Sequence, residues 1–146
     1  MMDVAFFIDQ INEDPKTMEI FNGLNEEIEN GKIQNGSVFY KEVGPNPIHP
    51  KFSLFNSTDI WNYTGTLVAT TMDTFVDAFK AINKYKLVYL FSKDNKHDVF
   101  GLISVSKQFE ILTGTEEDQK EAYRLTGKKP KLLPDIKPST IQKAIS

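Results

Sequence analysis

Val4-Ala5-Phe6-Phe7-Ile8-Asp9 opens the chain with five apolar residues in a row and closes on a carboxylate. An unbroken apolar run of this length, with no alternation, suits a strand covered on both faces, which is the usual condition of a parallel sheet under helices. It is read as the first, central strand. Asp14-Pro15 follows, an N-cap residue with proline in the first helical position, where the missing N–H costs nothing. Ile20, Phe21, Leu24 and Ile28 then mark one face of a helix of about four turns, and Gly31 is placed to end it. Past Asn35-Gly36, the alternating, β-rich stretch from Ser37 to Val43 reads as a second strand.

Further runs repeat this grammar. Gly44-Pro45-Asn46-Pro47-Ile48-His49-Pro50 is too rich in proline for helix or central strand and predicts a stiff extended connection, with a short strand at Lys51 to Phe55 beyond it. Residues 56–65 predict a loop or one helical turn. Thr66 to Thr70 predicts a buried strand, and Asp73 or Thr74 is placed to cap a helix carrying Phe75, Ala78, Phe79 and Ile82. Leu87 to Phe91 is again fully apolar. Lys93 to Asp98 then reads as a polar turn containing His97, with a strand from Val99 to Val105 and a short helix capped by Ser106 that ends at Gly114. Thr115 with Asp118 predicts a capping box opening a helix through Leu125; Lys131 to Leu133 predicts a short strand, and Pro138 to Ile145 a terminal helix. The expectation is an α/β three-layer sandwich on a mostly parallel, doubly wound, Rossmann-like sheet, with residues 1–146 as a single domain.

Composition bounds the function. A chain of 146 residues that is 40% hydrophobic, 25% charged and 12% aromatic is ordinary for one globular core. A net charge of −3 argues against nucleic acid or an anionic membrane as default partner, since both need concentrated positive surface. Lys128, Lys129 and Lys131 around Pro130 are the one basic patch, and their plain reading is a solvated loop. Zero cysteines remove disulfides, zinc-thiolate sites and thiol nucleophiles and suit a reducing compartment. The short apolar start fits neither a signal peptide nor a membrane span, so a cytoplasmic location is expected.

In doubly wound sheets ligands lie at the carboxyl ends of the strands. The loop after the first strand, Asp9-Gln10-Ile11-Asn12-Glu13-Asp14, holds no glycine, whereas phosphate loops need glycine for close backbone approach; no nucleotide cofactor is expected. Asp9, Glu13 and Asp14 could hold Mg²⁺ as in small phosphatases, against the plainer reading in which Asp14 caps the helix and the others are solvated. Asp59, Trp61, Asn62 and Tyr63 combine planar rings with hydrogen-bonding groups, a mixture suited to sugars or bases, or equally to a loop whose Trp plugs the core. Thr71 and Ser106 stand at predicted strand ends, where hydroxyls serve as ligands or, more commonly, as caps. No G-x-S-x-G elbow accompanies His49 or His97, so a hydrolase triad is not expected. The candidate binding residues are Asp9, Asn12, Asp59, Trp61, Asn62, Tyr63, Thr71 and Ser106, with no metal site among them.

Phe6 to Asn12, Thr58 to Thr71 and Gly101 to Ser106 together give the chain an order of elements that resembles the first, acceptor-side domain of GT-B glycosyltransferases, particularly the divergent transferase-like proteins of tailed phages. That resemblance spans about Val4 to Phe109 and rests on pattern. It implies an acceptor-type cleft in the loops after the strands, without the second domain that holds the nucleotide-sugar donor in that family. The function expected is a non-catalytic binding protein, of phage type, engaging a host protein or a nucleotide or sugar ligand. The alternative is an enzyme, either part of a split glycosyltransferase or a small Mg-dependent phosphoryl enzyme using Asp9.

Overall fold

The computed structural model describes residues 3–81 and 84–145. Seven strands form one sheet among these residues: β1 (Val4–Ile11), β2 (Ser37–Val43), β3 (Ser53–Asn56), β4 (Gly65–Ala69), β5 (Tyr85–Leu90), β6 (Ile111–Thr113) and β7 (Lys131–Leu132). Their order is β3-β2-β1-β4-β5-β6-β7, and every pairing is parallel. Among the described residues four α-helices connect strands, α1 (Pro15–Glu29), α2 (Met72–Lys80), α3 (Val99–Gln108) and α4 (Glu116–Thr126), and α5 (Pro138–Ile145) follows β7. The chain is thus a Rossmann-like α/β sandwich of three layers, as the apolar runs predict.

Alternation along β1 divides the core. Val4, Phe6 and Ile8 face one side with Val38, Val68, Val88 and Leu112, and α1 and α5 cover them through Ile20, Phe21, Leu24 and Ile141. Ala5 and Phe7 face the other side with Phe39, Leu67, Leu87, Tyr89 and Ile111, under α2, α3 and α4. Both faces of the central strands are dry, so their sequences show no polar alternation.

A buried carboxylate ties α1 to α5. Glu27 is 1% exposed, and its two oxygens accept hydrogen bonds from the backbone N–H and the hydroxyl of Ser139, in the first turn of α5. Those donors satisfy the carboxylate, and its charge in turn suits the positive end of the helix.

Boundaries differ from the sequence reading in one region. Val99 to Val105 is not a strand but the body of α3, and Ser106 lies within that helix rather than capping another. Its sequence, Val-Phe-Gly-Leu-Ile-Ser-Val, is β-branched and aromatic without a clear apolar stripe, because Leu102 and Val105 are buried while Phe100 on the same helix is exposed. The strand expected there is instead β6. Thr71, not Asp73 or Thr74, caps α2 and forms a reciprocal box with Thr74. Asp14 occupies the N-cap of α1 without a side-chain capping bond. Ile82, expected on the face of α2, lies outside the described residues.

Candidate ligand cleft at the carboxyl ends of the strands

After β1 the chain turns to one face of the sheet through α1, and after neighbouring β4 it turns to the other through α2. This divergence opens a crevice between the two strands, the switch point at which doubly wound folds bind ligands. β1 continues to Ile11 while β4 ends at Ala69, so Asp9 and Gln10 rise above the shorter strand. A cleft of about 800 Å³ results, lined by Asp9, Asn12 and Asp14, by Thr70 and Thr71, by Ser92 to Asn95 and by Thr115 to Asp118.

Hydrogen bonds set the walls. Thr70 Oγ1 donates to the Phe7 carbonyl at 2.8 Å, joining β4 to β1, and Asn95 Nδ2 donates to the Thr70 carbonyl at 2.9 Å, joining the loop after β5 to β4. Asp118 is buried, accepts from the Lys93 N–H at 2.9 Å, and thereby fixes the same loop against α4. The expected Thr115–Asp118 box is therefore half made: Thr115 Oγ1 accepts from the Asp118 N–H at 3.1 Å, and the Asp118 side chain reaches the loop instead. Asn12 serves the loop after β1, its Oδ1 accepting from the Asp14 N–H and its carbonyl accepting from Asn46 Nδ2.

An aromatic cluster ties the loop after β5 to that strand. Tyr89 is fully buried and its hydroxyl is 2.7 Å from Nε2 of His97, whose ring stacks on Phe91 at 4.5 Å. Burial raises the Tyr89 phenol well above its ordinary range, the Asn95 side chain offsets part of this, and the negative charge of Asp9 adds to the rise. Burial also lowers the His97 imidazole, partly countered by a hydrogen bond to the Asn95 backbone. His97, read from sequence as a hairpin-turn residue, is thus a packed and neutral ring. Asp9 itself is half-buried and makes no hydrogen bond or ion pair with any described residue.

Charge in the cleft is one-sided. Asp9, Asp14, Glu19, Asp94, Glu116, Glu117 and Asp118 line it against Lys16 and Lys93, and Lys93 is already paired with Glu117. That ion pair raises the lysine and lowers the glutamate, but both groups are exposed and water screens them. The positive ends of α1, α2 and α4 open here too, and the acidic first turn of α4 compensates its own. A phosphate group would meet net repulsion; hydroxyl and ammonium donors would meet acceptors. Among the described residues no three His, Cys, Asp or Glu side chains converge to hold a metal ion.

The structure brings together Asp9, Asn12 and Thr71 of the predicted residues and separates the rest from them. Asp59, Trp61 and Asn62 are exposed on a 3-10 turn, Ser57–Asn62, that carries the chain from β3 back to the start of β4. Tyr63 packs against Phe39 and Tyr85 at the amino end of the sheet, its phenol raised by burial and by Asp3. Ser106 donates to the Ile103 carbonyl, again at the amino end. Sequence reasoning missed Asn95 and Asp118 as cleft residues. The misread strand after Asn95 made residues 93–98 a hairpin turn, when they are in fact the loop after β5. No helix among the described residues is long and apolar enough to cross a membrane. No protein family, curated protein or solved structure matches the chain.

Proposed function

We propose that the chain is a binding protein that holds a donor-rich small molecule, a sugar-like polyol or an amine, in the cleft beside Asp9. The observation that carries this is the Asp9 carboxylate, half-buried at the switch point, without a hydrogen-bond or ion-pair partner among the described residues, and surrounded by further acceptors. The carboxylate oxygens reach solvent, and inside the cleft a ligand hydroxyl or ammonium group would take the place of that water. The reading keeps the acceptor side of the glycosyltransferase resemblance and leaves out the donor side, since the β1–α1 loop has no glycine and the cleft is acidic.

A thermal-shift screen against neutral sugars, amino sugars, nucleotide sugars, nucleotides and divalent metals tests it. A ligand at 100 times its Kd stabilises by about 2.7 kcal/mol. Stabilisation by a sugar or amine that disappears in Asp9→Asn is the expected result. Stabilisation by nucleotides alone, or by no compound, would remove the proposal. The enzymatic alternative predicts turnover that Asp9→Asn abolishes. Its magnesium form has no converging ligand set among the described residues.

A further inference from the structure

A second pocket of about 310 Å³ lies at the opposite end of the sheet, between the end of α3 with the α3–β6 connection and the α4–β7 connection. Its charge is reversed. Lys107, Lys128, Lys129 and Lys131 line it, with Glu110 as the one carboxylate. Phe109, Ile111 and Pro130 give it an apolar floor.

Two of the lysines have structural work. Lys128 Nζ donates to the Ser106 carbonyl at 3.0 Å, compensating the negative end of α3, and Lys131 pairs with Glu110 at 2.7 Å and reaches the Ala144 carbonyl. Lys107 and Lys129 make no hydrogen bond or ion pair with any described residue, and both are exposed. Structural contacts therefore account for two of the four ammonium groups and leave Lys107 and Lys129 on the pocket rim with no assigned role among the described residues. The ring of Phe109 meets buried Phe75 and partly exposed Phe79 edge-on, at 82° and 86°, so perpendicular neighbours hold it in place.

We propose that this pocket is an anion site for a phosphate monoester with a flat apolar body, the phosphate lying between Lys107 and Lys129 and the body against Phe109 and Pro130. Lysine is suited to phosphate as a point charge, and the volume is at the lower end of small-molecule pockets, which limits the ligand to one of modest size. The site is independent of the acidic cleft, where the same ligand would be repelled.

Calorimetric titration of the whole chain with phenyl phosphate, inorganic phosphate and phenol tests this. Phenyl phosphate should bind more tightly than inorganic phosphate, and phenol should not bind. The double variant Lys107→Gln/Lys129→Gln should weaken phenyl phosphate about tenfold, the loss of roughly 1.4 kcal/mol of Coulomb attraction, with its ligand-free Tm unchanged because neither side chain has a protein partner. Asp9→Asn should bind phenyl phosphate as the parent does, which separates this site from the cleft. Absence of binding by both phosphates, or equal affinity in the double variant, would overturn the site; equal affinity for the two phosphates would overturn the apolar half.

Discussion

The Tyr89 hydroxyl and His97 Nε2, 2.7 Å apart, join the middle of β5 to the loop that forms one wall of the acidic cleft. In the tautomer whose other ring nitrogen donates to the Asn95 backbone, Nε2 accepts from the phenol, and stacking on Phe91 fixes the ring plane. Tyr89→Phe keeps the packing and removes the donor, leaving a half-buried nitrogen unsatisfied. We expect a loss of about 1–3 kcal/mol in chemical denaturation. A loss smaller than 0.5 kcal/mol on that scale would mean that water replaces the phenol.

Stability should fall with acid in two windows. Burial keeps the folded-state pKa of His97 below its ordinary value, so below about 6.5 the unfolded chain binds a proton that the folded one does not. This contribution is fully present above that pH and is lost as pH falls through the folded value. His97→Phe should flatten the Tm profile below about pH 6.5. At Asp135 burial alone would raise the carboxyl, but hydrogen bonds from Thr140 and the Lys137 N–H, with the charges of Lys137 and Lys32, outweigh it and lower the pKa. Its contribution is present above about 3.9 and lost below. Asp135→Asn should shallow that limb alone.

Thr66 is a stabilisation target. It sits in β4 with no exposed surface, and its Oγ1 has no hydrogen-bond partner within the described protein. Valine has the same shape without the hydroxyl. Thr66→Val should therefore be neutral or stabilise by up to about 1 kcal/mol in equilibrium unfolding. A destabilised variant would point to a bound water at that oxygen.

Glu27→Gln keeps the side chain's size but removes the charge that two Ser139 donors and the start of α5 require. The expected cost is about 1.5–3 kcal/mol. Hydrogen exchange should report it first in α5, which would open before the rest of the sheet does.

Trp61 is 56% exposed and lies away from both pockets. Trp61→Ala should change stability by less than about 0.5 kcal/mol and leave any cleft ligand's affinity unchanged. Weaker sugar binding in that variant would return the 3-10 turn to the binding surface.

The sheet was legible because its central strands are buried on both faces, so Val4 to Ile8 and Leu87 to Phe91 show as apolar runs. Asp9 and Thr71 were legible as cleft residues for a related reason: strand ends locate the switch point without further detail. Residues 99–105 were not legible, since α3 has apolar residues on its buried and exposed sides alike and loses the helical stripe. That error hid His97, Asn95 and Asp118, whose roles depend on knowing that β5 is followed by a crossover. The chemical richness of Asp59 to Tyr63 drew attention to a segment that topology carries away from the cleft; composition alone could not reveal its direction.

The bond from Glu27 to Ser139 spans 112 positions of the chain. During synthesis α1 is made before α5, and the Glu27 carboxylate lacks its Ser139 donors until α5 is made. Strand β4 returns to pair with β1, and β5 to β7 can then add outward, each next to the strand made just before it. Helix α5 thus acts as a latch, docking beside α1 on one face of the sheet only after the strands it covers have been made. A ribosome-stalled chain lacking residues 138–145 should be recognised by chaperones through the same apolar face that the finished protein conceals.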